Sequence, residues 1–504
     1  MASHCHPSVV PKLAFLLSIC HCVTCYVIVG HAMPWMTSHQ LQVGVMGKEL
    51  VARGHTFIML LSSCDAATLA RVGGVPEGIQ VMEYPSPMPS HSSCAAAKQA
   101  TLLEFSTKLP GLDIWYLTEH SMVPHCAALL RNLTIIPALR ALHPDLVLGD
   151  FSDVCTPILG DGLGVPRVDF SPAGFFDNIL ATAYNFSAPP SLVPMYGTGF
   201  VPGQLRLPWN YLLNAASFAV SPWVVRFLEW QFGDSLRAQF PLAVRRSAHV
   251  AAGDAALLLI NTHTALEFER PALPPHVRLV GPLLAEPASP LPPHLHRLVH
   301  GPEEDSDAEA PPILPSLYVS FGSLFTLTMT LDQLRGLHAV LASLPARVLW
   351  KLEAGDVPGP DGAAFLAGLP PLPHGGALLG WVPQNDVLGS GGVRAFLTHG
   401  GINGVTQSLY HGVPMLILPF AGDQLDNARR VEALGAGVKL GRAGFVKRQA
   451  ELHAALMRVL TEDGFKQAAV RVSRELRGGP TPGRVLAADA VLEALGSLAL
   501  AAAA

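Results

Sequence analysis

The sequence predicts an α/β protein with two doubly wound parallel sheets, and three observations carry that expectation. Short continuous apolar runs alternate with helical patterns through both halves of the chain. A stretch rich in proline and acidic residues, LLAEPASPLPPHLHRLVHGPEEDSDAEAPPILPS, separates the two halves. In the second half a glycine-rich turn joins an apolar run to a helix, the arrangement that open α/β sheets use to hold ligands outside their strand ends.

Strands buried on both faces read as unbroken apolar runs. In the first half these are YVIVG, TFIMLL, DLVLGD, PRVDF and ALLLIN, and in the second LYVSFG, RVLWKL, GALLGW, RAFLTH and PMLILPF. Helical patterns such as HQLQVGVMGKELVARG and NARRVEALGAG lie between them. With 504 residues the chain is long enough for two cores. The stretch Ala173–Phe232 is rich in aromatics and prolines and reads as irregular: either a wall of an apolar cleft or a cover for the core. Half of the residues are apolar, 14% are charged and the net charge is −5, which argues against nucleic acid as a partner.

The segment from Trp381 to Gln424 has the chemistry of a nucleotide-sugar site in chain order. An aromatic plate, Trp381, comes first. The run RAFLT leads to His399 and to a helix start containing Gly400, Gly401 and Gly404. Backbone N–H groups at such a start suit a diphosphate. The four-residue spacing of His399, Asn403 and Gln407 predicts one helix face. A second run, MLILPF, precedes the polar pair Asp423 and Gln424. HGG by itself reads as a βα turn with capping residues, and the ordered set is what points to a ligand.

Two further polar residues fall at strand ends. His31 follows YVIVG, and Asp150 ends DLVLGD, so both point into the expected crevice. Histidine suits a general base at neutral pH, and a carboxylate on its other nitrogen would fix the tautomer. The plainer readings are a helix-start polar residue and an N-cap. His39 is the nearest rival base and Asp153 the nearest rival carboxylate.

The sequence resembles the UDP-glycosyltransferase family. WVPQNDVLG, RAFLTHGGINGV, LYHGVPMLILPFAGDQLDN and GAGVKL are similar to its donor-binding signature. NTHTALEFERPALPPHVRLVGPL and LYVSFGS resemble its inter-domain region, and YVIVGHAMPW, ELVARGHTF and PDLVLGD its N-terminal half. SLVPMYGTGFVPGQLRLPWNYLLN is closer to the animal UDP-glucuronosyltransferase-like branch. The resemblance implies the GT-B plan: two Rossmann-like domains facing a central cleft, with a final helix bracing the first domain. The expected boundaries are a leader over 1–22, an acceptor domain over 23–285, a linker over 286–315, a donor domain over 316–480 and a helix with an alanine-rich tail over 481–504.

The same resemblance assigns roles. His31 and Asp150 would form the base dyad. Trp381 would stack on uracil, the Val382 backbone would read its edge, and Gln384 would sit near the nucleoside. Ser323, His399, Asn403 and the amides of Gly400, Gly401 and Gly404 would hold the diphosphate. Asp423 and Gln424 would grip sugar hydroxyls. The family commonly has glutamate where this chain has Gln407, a weaker acceptor for ribose hydroxyls. No metal and no cofactor are expected, since the helix N-terminus and His399 would meet the departing charge. The implied activity is inverting transfer of a hexose or hexuronic acid from a UDP-sugar to a hydroxyl of a small lipophilic acceptor. Two rivals are another GT-B enzyme and a non-catalytic UDP-sugar-binding protein.

For localisation, Lys12 precedes LAFLLSICHCVTCYVIV, and the resemblance puts the first strand at about Cys25–Gly30, inside that run. The run therefore reads as a signal peptide ending near Ile19 to Cys22. The alternative is a cytoplasmic protein with an apolar extension. The tail VLEALGSLALAAAA is too short to span a bilayer, so the chain is expected to lack the branch's membrane anchor and to associate with membranes peripherally, if at all. All eight cysteines precede residue 160, and Asn132 and Asn185 open glycosylation tripeptides.

Overall fold

The structure is a computed structural model that describes residues 25–87, 93–105, 112–240, 254–301, 315–322, 325–359, 361–441, 448–479 and 481–503. The expected leader over 1–22 and Ser323 lie outside them. Two all-parallel sheets form two α/β layers. The first contains β1 (Val27–His31), β2 (Thr56–Ser62), β3 (Gln80–Tyr84), β4 (Leu146–Asp150), β5 (Arg167–Ser171), β6 (Leu257–Ile260) and β7 (Val277–Leu279). Their order is β3-β2-β1-β4-β5-β6-β7. The second contains β8 (Ser316–Ser320), β9 (Arg347–Lys351), β10 (Ala377–Leu379), β11 (Val393–Thr398), β12 (Met415–Ile417) and β13 (Gly437–Lys439), in the order β10-β9-β8-β11-β12-β13.

The ten apolar runs all became strands. Three edge strands were not legible: β3 reads QVMEY and is largely exposed, while β7 and β13 are three residues each. In each sheet the strand order reverses at one point, between β1 and β4 and between β8 and β11. The crevice at such a point accommodates ligands because the flanking connections lead away on opposite faces. His31 and Asp150 end the two switch strands of the first sheet, and His399 follows β11 in the second.

Five helices place the site. They are α1 (Thr37–Ala52), α2 (Pro208–Leu228), α3 (Ile402–Tyr410), α4 (Gln424–Ala433) and α5 (Gly483–Ala503). α1 approaches its sheet closely, because a Cβ on Gly30 or on Gly47 would fall 2.4 Å from the Phe57 ring. Bulk at either position would lift α1, and with it the residues of its first turn. α5 returns to the first domain, where Ala487, Val491 and Leu495 join the core formed by Ile28, Met46 and Phe57.

Two stretches differ from expectation. The linker over 286–315 contains the helix Pro293–His300, whose Leu295 and Val299 are buried in the core of the second domain. Their i, i+4 spacing seals one face, which four nearby prolines obscured in the sequence. The stretch Ala173–Phe232, read as irregular, contains the 21-residue α2.

Candidate active site between the two domains

The first-domain side of the site centres on Asp150. Burial alone would push its carboxyl up, but His39 and Ser152 hold it below its ordinary value. His39 donates from Nδ1 to Oδ2 of Asp150 at 2.6 Å, while Oδ1 accepts from the backbone N–H and hydroxyl of Ser152 at 3.0 and 2.6 Å. His39 sits in the first turn of α1 with 17% of its side chain exposed. This leaves Nε2 as the proton acceptor, with a carboxylate fixing the tautomer behind it.

The dyad expected between His31 and Asp150 is therefore corrected. His31 is buried at the end of β1, with Nδ1 3.5 Å from Oδ2 of Asp153 and no hydrogen bond at that nitrogen. Burial lowers its pKa to about 4, even though Asp150 and Asp65 act to raise it. Both rivals weighed in the sequence thus have a place: His39 pairs with Asp150, and Asp153 lies beside His31. The connection explains the exchange. Trp35 takes a left-handed φ of 67° and donates its N–H to Asp65 at 3.0 Å, which turns the chain so that α1, not the strand end, faces the carboxylate.

On the second-domain side, β11 ends at Thr398 and α3 starts at Ile402, with Gly401 as N-cap. His399 therefore precedes the helix, and only Asn403 and Gln407 share the helix face that spacing had suggested for three residues. Gly400 has a φ of 90°, and a Cβ on Gly401 would stand 2.7 Å from Nε2 of His399, so the imidazole packs against bare backbone. Burial lowers the His399 pKa to about 4, against a raising contribution from the Ser320 carbonyl. Burial thus favours the neutral imidazole, which still has one N–H to donate. Gly404 lies in the first turn of α3 and is buried.

Asp423 and Gln424 flank this turn. Asp423 accepts at Oδ2 from the backbone N–H of Ile402 at 3.1 Å and from Nδ2 of Asn427 at 2.6 Å. Burial raises its pKa to about 6, opposed by the Asn427 and Ile402 bonds and by His39 across the cleft. Gln424 accepts at Oε1 from the N–H groups of Phe420 and Ala421, which leaves its amide N–H groups as donors. Trp381 is 49% exposed and presents an open ring, and Val382 beside it is buried.

Gln384 donates to Oε1 of Gln407 at 2.8 Å, and Gln407 donates to the Leu284 carbonyl at 2.8 Å. Both ends of the Gln407 amide are thus used by the protein. A glutamate there would face the Leu284 carbonyl with no proton to give. Gln407→Glu is therefore expected to destabilise the ligand-free protein by about 1 kcal/mol. Saturating UDP should recover this if the carboxylate turns to the ribose. Melting curves with and without UDP check both halves, and an unchanged ligand-free Tm would mean that the Leu284 bond contributes nothing.

Apart from Asn403, the two sides touch through residues that were not singled out from the sequence. Gln42 on α1 donates to Oδ1 of Asn403 at 2.7 Å, so the Asn403 carbonyl serves a contact between the domains. Asp426 on α4 accepts from the N–H groups of Gly197 and Gly199 at 2.7 and 3.2 Å, and Arg430 pairs with Glu267 at 3.1 Å. The signal for Asp426 and Asn427 was present in GDQLDN, one helical turn beyond Asp423 and Gln424.

A family model described as UDP-glucoronosyl and UDP-glucosyl transferase matches residues 30–482. The chain belongs to this family. It is a UDP-glycosyltransferase and takes a UDP-sugar as donor. Among similar proteins, human 2-hydroxyacylsphingosine 1-beta-galactosyltransferase is 28% identical over 86% of this chain and 74% of its own length. Human UDP-glucuronosyltransferase 2A3 is 28% identical over 92% of this chain and 83% of its own. Among solved structures, a UDP-glucosyltransferase from Polygonum tinctorium superposes with a TM-score of 0.58 at 19% identity, covering 94% of this chain and 98% of that one. The calicheamicin glycosyltransferase CalG4 gives 0.56 at 20%, covering 94% and 99%. These structures place the fold in the GT-B class.

Proposed function

We propose that this glycosyltransferase moves a hexose or hexuronic acid, with inversion, to a hydroxyl of a small lipophilic acceptor. The observation that carries the reading is the His39–Asp150 pair, presented by the first domain toward the domain that bears the donor signature. Nε2 of His39 takes the acceptor proton as the oxygen bonds to the anomeric carbon. The bond from that carbon to the diphosphate breaks on the opposite face, which inverts the centre. The N-terminus of α3 and a His399 N–H meet the charge on departing UDP, and we assign the step no metal. Asp423 and Gln424 would accept from and donate to the sugar hydroxyls.

A lipophilic acceptor suits the rings beside the dyad. Phe151, which follows Asp150, lies 5.3 Å from Phe176, and Phe176 lies 4.3 Å from Tyr196 between centroids. The names of the two human relatives include a sphingosine acceptor and two different sugars, consistent with either donor class here. Incubation with UDP-glucose, UDP-galactose and UDP-glucuronic acid and a panel of lipophilic alcohols, with mass detection and assignment of the new anomeric centre, tests the reading. A β-linked product from an α-linked donor is expected. Bound UDP without product, or retained configuration, would overturn it.

We also infer a luminal or secreted location. Cys64 pairs with Cys94 and Cys126 with Cys155, and such bonds persist in oxidising compartments. Asn185 is exposed and Asn132 is half-buried, with its side-chain carbonyl accepting from Thr134. Protein from a secretory host should lack Met1 and carry glycan on Asn132 or Asn185. An intact Met1 with neither site modified and four free thiols at the paired positions would refute the assignment.

A further inference from the structure

We propose that Gln42 is a positioning residue: from α1 it fixes the orientation of the Asn403 amide, so that Asn403 turns its N–H groups toward the departing diphosphate. This role rests on the diphosphate leaving at the N-terminus of α3. It adds the group that sets the polarity of the side chain standing there.

The polarity is imposed from the backbone outward. An amide side chain offers oxygen on one side and nitrogen on the other, and its neighbours decide which faces where. Asn261, fully buried just after β6, accepts at Oδ1 from the Leu283 N–H at 3.1 Å and donates from Nδ2 to the Pro172 carbonyl at 3.0 Å. Neither backbone group can exchange donor for acceptor, so the Asn261 amide has one orientation. Its nitrogen also points to Oδ1 of Asn403, in a longer bond of 3.5 Å. Gln42 donates from Nε2 to the same oxygen at 2.7 Å. With the Asn403 amide reversed, its nitrogen would face the Asn261 nitrogen, donor against donor. Two first-domain donors thus hold the Asn403 oxygen and leave its two N–H groups on the other side. Among the described residues no protein group accepts from them.

The location makes that polarity matter. Asn403 is the second residue of α3, in the turn whose backbone N–H groups suit an anion. An oxygen turned to the diphosphate would repel it, whereas a nitrogen donates. Gln42 follows His39 by three positions on α1, so the helix that carries the base also sets the amide that meets the leaving group. Gln42 is itself fully buried, and its Oε1 has no hydrogen-bond partner. Burying a half-satisfied amide is less favourable than burying an apolar side chain of the same length, so stability does not account for the residue.

UDP and uridine affinities are measured by calorimetry on the full chain with Gln42→Met, Gln42→Glu, Asn403→Ala and the two double variants. Methionine keeps the length and removes the donor, leaving the longer Asn261 bond, so UDP should bind about threefold more weakly. Glutamate accepts and cannot donate. Its charge-assisted bond to the Asn403 nitrogen should reverse the amide, so UDP should lose at least about tenfold although the two domains stay bonded. Both losses should fall to within about twofold when residue 403 is alanine, since the coupling runs through that side chain. Uridine, which has no diphosphate, should bind alike to parent and Gln42 variants. Parent-like UDP affinity in both Gln42 variants would overturn the proposal. So would a glutamate loss of equal size in the alanine background, which would be the field of the new charge alone. Uridine weakened in step with UDP would make Gln42 a domain contact only and overturn it as well. Should Gln42→Glu fail to fold, Gln42→Met in the two backgrounds decides by the same readings. Unchanged UDP affinity in Asn403→Ala would remove the diphosphate from Asn403 and the role of Gln42 with it, whereas failure of the Gln42 variants alone leaves the diphosphate where it is placed.

Discussion

Replacing His39 by alanine should cut turnover by roughly 10²–10⁴-fold, the range for losing a positioned general base, and should leave UDP affinity as it was. The donor signature lies in the other domain, and His39 touches the first through Asp150. Asp150→Asn should also slow turnover, because an amide can donate to Nδ1 and so favour the wrong tautomer. The double variant should be no slower than the worse single one, since the pair acts as a unit. His31→Ala should behave differently. His31 is buried with Nδ1 unbonded, so its removal should lower Tm while turnover per folded molecule stays within about tenfold, as expected of a group that takes no part in proton transfer. Steady-state rates with UDP titrations on the four variants decide the matter. A silent His39→Ala would remove the base from this account.

Asp423→Asn should lower turnover by roughly 10²–10⁴-fold and yet raise the stability of the ligand-free protein at high pH. The loss follows from two charge-assisted bonds to sugar hydroxyls at about 1.5–3 kcal/mol each. UDP itself, which has no sugar beyond the diphosphate, should still bind. The stability gain follows from the raised carboxyl. A group whose folded pKa lies at about 6, above the ordinary 3.8, supports the fold below the ordinary value and loses that support as pH rises through 6. Above pH 6 the half-buried carboxylate is a burden until donors from a sugar arrive. Asparagine can keep the Ile402 and Asn427 bonds, because both fall on one oxygen. The variant should therefore melt higher than the parent at pH 8 and equally at pH 4. A lower Tm at pH 8 would show that Asp423 is structural, and equal losses of UDP and UDP-sugar affinity would remove it from the sugar subsite.

Much of the donor side was legible because it is local. Trp381, His399, the glycines and Asp423 occur in one contiguous stretch, and a strand running into a glycine-rich helix start has few other uses. Edge strands were lost for the opposite reason: β3 exposes most of its residues, so it lacks the continuous apolar run that marks a buried strand. α2 was lost because its polar residues face inward, so the pattern of a water-facing helix was absent.

The sequence alone determined the fold class, the two-sheet plan and the order of the donor motif. These rest on periodicity and on neighbours in the chain, which any sequence displays. Tertiary structure decided which histidine meets Asp150, since His39 and Asp150 are 111 positions apart and a turn at Trp35 sets which side chain arrives. It also decided that Gln407 bonds across 123 positions to Leu284, and that the apolar face of α2 is turned to the outside. Such pairings depend on how two packed surfaces approach within a fraction of an ångström. A one-dimensional pattern states which groups are available and not which of them are left facing each other.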